Sequence, residues 1–207
     1  MEKLDLTKSY KAYYTAKKKP ELLTVEKTQF ISIVGEGDPS EKAYADKIQA
    51  LYATAYAIKF ICKELDQDFV VAKLEGLWSF DENKYKNISM NDAPSKVPRS
   101  EWSYRMLIRM PDFVTKKQIK SAIEGVLVKK KIQLANDIEF YEMNEGRVVQ
   151  MLHIGPFSNE PETLAQMEEF IKKNNFIKNG LHHEIYLSGI NKTEPEKLKT
   201  ILRAPVK

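Results

Sequence analysis

The sequence predicts an α+β fold made of two copies of a strand, helix, strand, strand module, with antiparallel sheet and a cleft between the halves. Three observations lead there. The segment from Glu41 to about Glu64 places Tyr44, Ile48, Leu51, Ala55, Ile58 and Cys62 three and four residues apart, the spacing of a helix with one apolar face. Several shorter segments alternate with the period of two that marks a half-buried strand. The order strand, glycine-containing loop, helix, strand, loop, strand runs from Val25 to Met110 and again from Val148 to Val206. Comparing the copies sets the KLEGLWS segment at 73–79 beside the HEIYLSG segment at 183–189, and Glu75 is read as taking the place of Glu184.

Residues 1–22, lysine-rich and ending after Pro20, are expected to form an N-terminal arm with one short helical turn. A β-rich run at Val25–Val34 follows, closed by GEGDPS, where Ser40 is a candidate cap for the long helix. Asp68–Phe80 and Trp102–Met110 read as strands, and the polar segment between them, with Pro94 and Pro98, as a long loop. Thr115 followed by Gln118 predicts a capping box and a helix to about Lys130, with Ile119, Ala122, Ile123, Val126 and Leu127 as its apolar stripe. A strand at Ile138–Met143, a turn at Asn144–Gly146 and a strand at Val148–Ile154 come next. Pro161 then suits the first turn of a helix carrying Leu164, Met167, Phe170 and Ile171. The stretch HHEIYLSG at 182–189 and a strand at Leu198–Val206 close the chain. The modules span about 23–112 and 137–207 with a connecting helix at about 115–131. Each is expected to bury one sheet face under its helix, leaving the other faces to meet or to line a groove.

Of the 207 residues, 43% are apolar and 30% charged, enough to bury a core. A net charge of +4 from 33 basic and 29 acidic side chains is small and evenly spread, so no nucleic-acid partner is expected. Lys17–Lys19 and Lys129–Lys131 read as solvated ends of elements. No apolar run approaches the roughly 18 residues of a membrane span and no charged-then-apolar leader is present, so the expected location is cytoplasmic, with no membrane partner. Cys62 is the only cysteine, which excludes an intrachain disulfide and a cysteine zinc cluster. Three histidines without spacing partners suggest no metal, and no cofactor is predicted. The GEGDP and HIGPF loops lack the lysine and spacing of a phosphate-binding loop.

In HHEIYLSG, alternation puts His183, Ile185 and Leu187 on one side and His182, Glu184, Tyr186 and Ser188 on the other. The first set is expected to pack, while the second sets a carboxylate beside a phenol. Glu75 is read either as the pseudo-symmetric partner of Glu184 or as an ion pair with Lys73. Tyr52 and Tyr56, one turn apart on the long helix, are read as core rim or as cavity lining. Strict alternation places Trp78 opposite Glu75, so a bulge would be needed to bring both to one cavity. His153 and His183 are read as hydrogen-bonded structural residues.

The segments KPELL at 19–23, VAKLEGLWS at 71–79, YRMLIRMPDFVT at 104–115, EGRVVQMLHIGPFSNEPETLAQM at 145–167, HHEIYLSG at 182–189 and PEKLKTILRAPV at 195–206 resemble stand-alone members of the GyrI-like small-molecule-binding family. The resemblance implies a single GyrI-like domain over 23–207, with two modules in pseudo-twofold relation and a ligand cavity in the groove between them. It implies that Glu184 matches a glutamate at the cavity floor that helps bind cationic aromatic compounds. Some stand-alone relatives are cyclopropanoid cyclopropyl hydrolases that use an aromatic cage, and the corresponding positions here are Trp78, Trp102, Tyr104 and Tyr186. In the GLW motif this chain has Ser79 where relatives often have a second Trp, which removes one aromatic wall.

Two functions follow from the resemblance. One is capture of flat hydrophobic or cationic xenobiotics, with hydrolytic ring opening in which Glu184 handles water and a phenol such as Tyr186 or Tyr104 stabilises the departing charge. The other is a non-catalytic protein-binding or sequestering module of the gyrase-inhibitor type. A transcription-factor role is disfavoured because no DNA-binding domain remains once the modules are assigned.

Overall fold

Eight strands join edge to edge into one antiparallel sheet, in the order β1-β6-β8-β7-β3-β4-β2-β5, in a computed structural model that describes residues 3–89, 91–189 and 192–207. The strands are β1 (Glu21–Val25), β2 (Thr28–Glu36), β3 (Leu74–Ser79), β4 (Ser103–Arg109), β5 (Glu139–Met143), β6 (Gly146–Ile154), β7 (His182–Tyr186) and β8 (Lys199–Pro205). The helices are α1 (Leu6–Ser9), α2 (Lys11–Tyr14), α3 (Lys42–Glu64), α4 (Ala93–Lys96), α5 (Lys116–Lys130) and α6 (Glu160–Lys173). The α+β class expected from the sequence is the class observed.

The halves meet edge to edge through the β3–β7 pair, and their sheet faces do not stack. Each half would otherwise leave an unpaired central edge, and pairing them satisfies both rows of backbone groups. The halves also exchange outer strands, β1 pairing with β6 and β5 with β2. Both pairings keep one register, so residues 21–36 and 139–154 form a single long ribbon interrupted at 26–27 and 144–145. The run expected as one strand at Val25–Val34 is therefore two strands with different partners.

The cross-strand register fixes where the helices lie. One row runs Ile33, Met106, Gly76, Glu184, Leu202, Met151 across six strands, all on the same face. Helix α3 packs Ala50, Leu51, Ala55, Ile58 and Cys62 into the core cluster that holds Ile33 and Met106, at one end of the row. Helix α6 packs Leu164 and Met167 against Met151 and Leu202 at the other end. Gly76 and Glu184 fall in the middle, between the two helices.

Other local expectations divide by their chemistry. The Thr115–Gln118 capping box is present at the start of α5, and Pro161 lies in the first turn of α6. Ser40 does not cap α3, whose N-cap is Glu41 without a side-chain bond; the Ser40 amide instead donates to Asp38 at 2.8 Å. Of the strand expected at Asp68–Phe80 only β3 joins the sheet, because the arm claims its start: Leu4 forms a bridge to Phe69 flanked by backbone bonds of 3.1 and 2.8 Å. The segment between β3 and β4 contains α4 and a short turn at Arg99–Glu101.

The arm does more than the single expected turn. Its two short helices bring Tyr13 and Tyr14 onto the opposite sheet face, over a polar cluster with no exposed member. His183 is fully buried, with Nε2 2.9 Å from Glu75 and Nδ1 3.0 Å from Glu145, so both ring nitrogens donate to carboxylates. Arg203 donates to the other oxygen of Glu145 at 3.3 Å, to Gln150 at 2.8 Å and to the Tyr13 carbonyl at 2.9 Å. The Tyr13 hydroxyl donates to Glu75 at 2.5 Å, and the Arg203 guanidinium lies 4.4 Å from the Tyr13 ring centre. Gly146, at φ +64°, allows the chain reversal that follows Glu145 at the ribbon interruption. Two cations thus balance two anions in a buried site.

Burial would lower the His183 pKa, but the charges and hydrogen bonds of Glu145 and Glu75 outweigh it and raise the value from 6.5 to about 9. A pKa raised on folding contributes stability that is complete below about pH 6.5 and is lost as pH climbs through about 9. Thermal melts of the wild type should therefore fall between pH 7 and pH 9.5, and the fall should flatten in His183→Gln. Tyr13→Phe, which removes a donor to a buried carboxylate, should destabilise the fold by about 1.5–3 kcal/mol in denaturant titrations.

Candidate functional site

On β7 the alternation that buries His183 behind the sheet turns Glu184 and Tyr186 forward, into the gap between α3 and α6. Both residues are 8% exposed. The Tyr186 hydroxyl donates to Glu184 Oε2 at 2.7 Å and accepts from the indole N–H of Trp78 at 3.0 Å. This chain of bonds crosses over Gly76, the residue paired with Glu184. A Cβ at position 76 would sit 2.9 Å from the Trp78 nitrogen and 3.1 Å from the Tyr186 oxygen. The glycine is what lets the two side chains meet there.

Trp78 is the hub of the aromatic wall. Its ring lies 5.6 Å from Trp102 and 5.6 Å from Tyr104, and stacks at 6.3 Å on Tyr44 of α3. Tyr44 also meets Tyr104 edge-on at 5.0 Å, and the Trp102 indole is held by the Val97 carbonyl at 3.3 Å. Across the gap, Phe157 contacts Tyr186 edge-on at 6.0 Å. The structure thus brings together Trp78, Trp102, Tyr104, Tyr186 and Glu184. Strict alternation holds in β3, and it is Glu75, not Trp78, that leaves the site.

Glu75 pairs with Ile185 in register, points to the back face and is fully engaged by Tyr13, Tyr14 and His183. The counterpart of Glu184 in the first half is Gly76, because a twofold relation about the β3–β7 pair preserves sheet faces. Tyr52 packs against the core farther along α3, and Tyr56 is 45% exposed. Neither shares a ring contact or hydrogen bond with the aromatic wall. His153 is structural, between Thr163 at 2.9 Å and the Pro156 carbonyl at 3.2 Å.

Three participants were not singled out from the sequence. Tyr44 reads as core stripe, yet burial and the nearby Glu184 charge raise its phenol pKa. His182 brings Nε2 to 3.2 Å from Glu184 Oε1, without hydrogen-bond geometry at either ring nitrogen. Glu160, in the first turn of α6, is 7% exposed with one oxygen buried and unpartnered. Burial first, and the Glu184 charge second, hold its carboxyl well above the usual carboxylate range. An acid at a helix start satisfies the helix dipole, which accounts for its type and conceals its burial. The one available signal was the glycine inside LEGLWS, since a glycine in a strand interior marks a close approach.

Chemically, the groups gathered here are aromatic rings, a carboxylate suited to a cation, and two acids whose environments differ. Among the described residues no cluster of histidine, cysteine and acids could hold a metal, and no helix is long and apolar enough to cross a membrane. Gly76→Ala should break the Trp78–Tyr186 bond, destabilise the fold by about 1–3 kcal/mol through overpacking, and shift the tryptophan emission. Unchanged emission and melting would show that the contact over Gly76 is slack.

Comparison with known proteins identifies the fold and the family. A crystal structure of a conserved protein from Listeria innocua superposes with a TM-score of 0.87 at 38% identity, covering 99% of this chain and 100% of that one. A second, of a hydrolase from the same organism, superposes at 0.84 with 38% identity over 99% and 100% of the two chains. The C-terminal domain of EcmrR shares the fold at a TM-score of 0.58 and 12% identity, over 91% and 97% of the chains. No curated protein matches. The description GyrI-like small molecule binding domain fits residues 18–207, and the chain belongs to that family.

Proposed function

We propose that the protein binds flat, hydrophobic or cationic small molecules in the cleft between α3 and α6, and hydrolyses those that carry a strained electrophilic ring. The observation that carries this reading is the meeting of Trp78, Tyr186 and Glu184 over Gly76. It puts a carboxylate at the floor of an aromatic wall, in a setting where little water screens its charge. Stacking on Trp78, Trp102, Tyr44 and Tyr104 would supply most of the affinity, and Glu184 would select for positive charge. Cyclopropane-bearing alkylators and cationic dyes are the two ligand types that test these features.

Hydrolysis is supported by the two-acid arrangement and by the 38% identity to a protein described as a hydrolase. In a cyclopropane fused to a conjugated dienone, water attacks a ring carbon, the carbon–carbon bond breaks, and its electron pair moves to the distant carbonyl oxygen. Glu184 would take the proton of the attacking water. The Tyr186 phenol, its pKa raised by burial and by Glu184, remains protonated but is already committed to Glu184. A protein-sequestering role has no specific observation in its favour.

Incubation of the protein with a cyclopropanoid alkylator should give the water adduct by mass spectrometry, above a spontaneous control. Glu184→Gln should lower that rate by roughly 100-fold, the usual scale for a lost general base, and weaken binding of a cationic dye followed by tryptophan quenching. Quenching without product would leave a binding protein, and absence of both would refute the reading.

A further inference from the structure

We propose that Glu160 is the hydrogen-bond and proton donor of this cleft, directed at a carbonyl oxygen of the bound molecule. The proposal rests on the small-molecule reading above and adds the ligand feature that the site recognises. Phe157 packs edge-on against Tyr186 at 6.0 Å, which pins the turn before α6 to the end of β7. Glu160 follows three residues later, buried at the head of the helix.

The other buried carboxylates are all bound by donors. Glu75 accepts from Tyr13 and His183, Glu145 from His183 and Arg203, and Glu184 from Tyr186. Oε1 of Glu160 has no partner among the described residues. An ionised carboxylate in that state would carry a desolvation cost that the helix dipole offsets only in part. Retaining the proton removes the charge and leaves an O–H with an empty place for an acceptor. Burial and the repulsion of Glu184 act in the same direction.

Most other donors of the site are spent, although the ring nitrogens of His182 carry no hydrogen bond. The Trp78 N–H goes to Tyr186, the Tyr186 O–H to Glu184, and the Tyr44 O–H to the Met106 sulfur at 3.6 Å. His182 presents Nε2 to Glu184. A ligand carbonyl can thus be met by Glu160 without breaking an existing bond. In ring opening the balance closes: water gives a proton to Glu184 and its oxygen to the ring carbon, the ring bond breaks, and the carbonyl oxygen takes the Glu160 proton. The sum is addition of one water, and both acids are restored by exchange with solvent.

The titratable groups around Glu160 are Glu184, Tyr186 and His182 on β7, Tyr44 on α3, and His153 on β6, which is tied to Thr163 and Pro156. Infrared spectroscopy of the whole chain at pH 7 should show the C=O stretch of a neutral carboxylic acid, lost in Glu160→Gln. In Glu184→Gln that band should titrate away at lower pH, because the repelling charge is gone. Absence of the band, or its survival in Glu160→Gln, overturns the proposal whatever the ligand chemistry.

Two tricyclic probes test the donor role. Acridone carries a ring carbonyl and acridan is the same tricycle without it. Wild type should prefer acridone by roughly tenfold, the scale of one hydrogen bond from a buried donor; Glu160→Gln should keep the preference through its amide N–H and Glu160→Ala should lose it. With a cyclopropane-fused dienone, Glu160→Gln should lower kcat roughly 100-fold with KM nearly unchanged. No product from wild type would sink the hydrolytic reading alone, and the acridone preference would then decide. Equal affinity of the wild type for both tricycles, or a Glu160→Ala variant that keeps the preference, overturns the assignment even if the infrared band is present.

Discussion

The buried imidazole of His183, held between Glu75 and Glu145, is the interaction on which the rest of the structure depends. It links β3, β7 and the ribbon interruption before β6 at one atom set, and Arg203 extends it to β8. The arm completes it, since Tyr13 supplies both a hydroxyl to Glu75 and a carbonyl to Arg203. Such a cluster is strong only when whole. Removing one member leaves a buried charge unpaired, at about 3–5 kcal/mol, so the seam between the halves is held in a single arrangement.

Because strand residues alternate, rigidity behind the sheet is inherited in front of it. His183 fixes the path of β7, and the neighbouring Glu184 and Tyr186 are thereby aimed into the gap between α3 and α6. Gly76 contributes by absence, leaving the space in which indole, phenol and carboxylate meet. The pH behaviour of the back face follows the same logic. Glu145 is held below its usual pKa of 4.5, burial being outweighed by His183 and Arg203, so its share of stability is lost as pH falls. His183 loses its share as pH rises through about 9. The seam is firmest between those limits.

Local patterns in the sequence were enough to find helices α3, α5 and α6, the α5 capping box and most strand segments, while the set Trp78, Trp102, Tyr104, Glu184 and Tyr186 came from the family resemblance. Local patterns could not give strand order. Nothing local distinguishes a β1 that pairs with β2 from one that pairs with β6, because register is decided by partners more than a hundred residues away. The same blindness explains Glu75: a superposition of the two halves by sequence ignores which sheet face a residue occupies, and only the β3–β7 register shows that Gly76 is the residue opposite Glu184. Tyr13 and Glu145 were illegible for a related reason, lying in an arm and at a ribbon break whose meaning appears only once the sheet is closed.

Polar groups on the two faces are satisfied unequally, and the inequality has a direction. Behind the sheet every buried charge of the His183 cluster meets an opposite charge or a donor, as a part that must stay put requires. In front, His182 has two ring nitrogens without hydrogen bonds and Glu160 an oxygen without one. Each such group costs about 1–3 kcal/mol, a penalty also carried by the unpartnered hydroxyls of Thr28 and Thr54. His182 and Glu160 lie beside Glu184 and Tyr186, where the aromatic wall ends. Under the proposed small-molecule reading, those missing partners are what a bound molecule would supply.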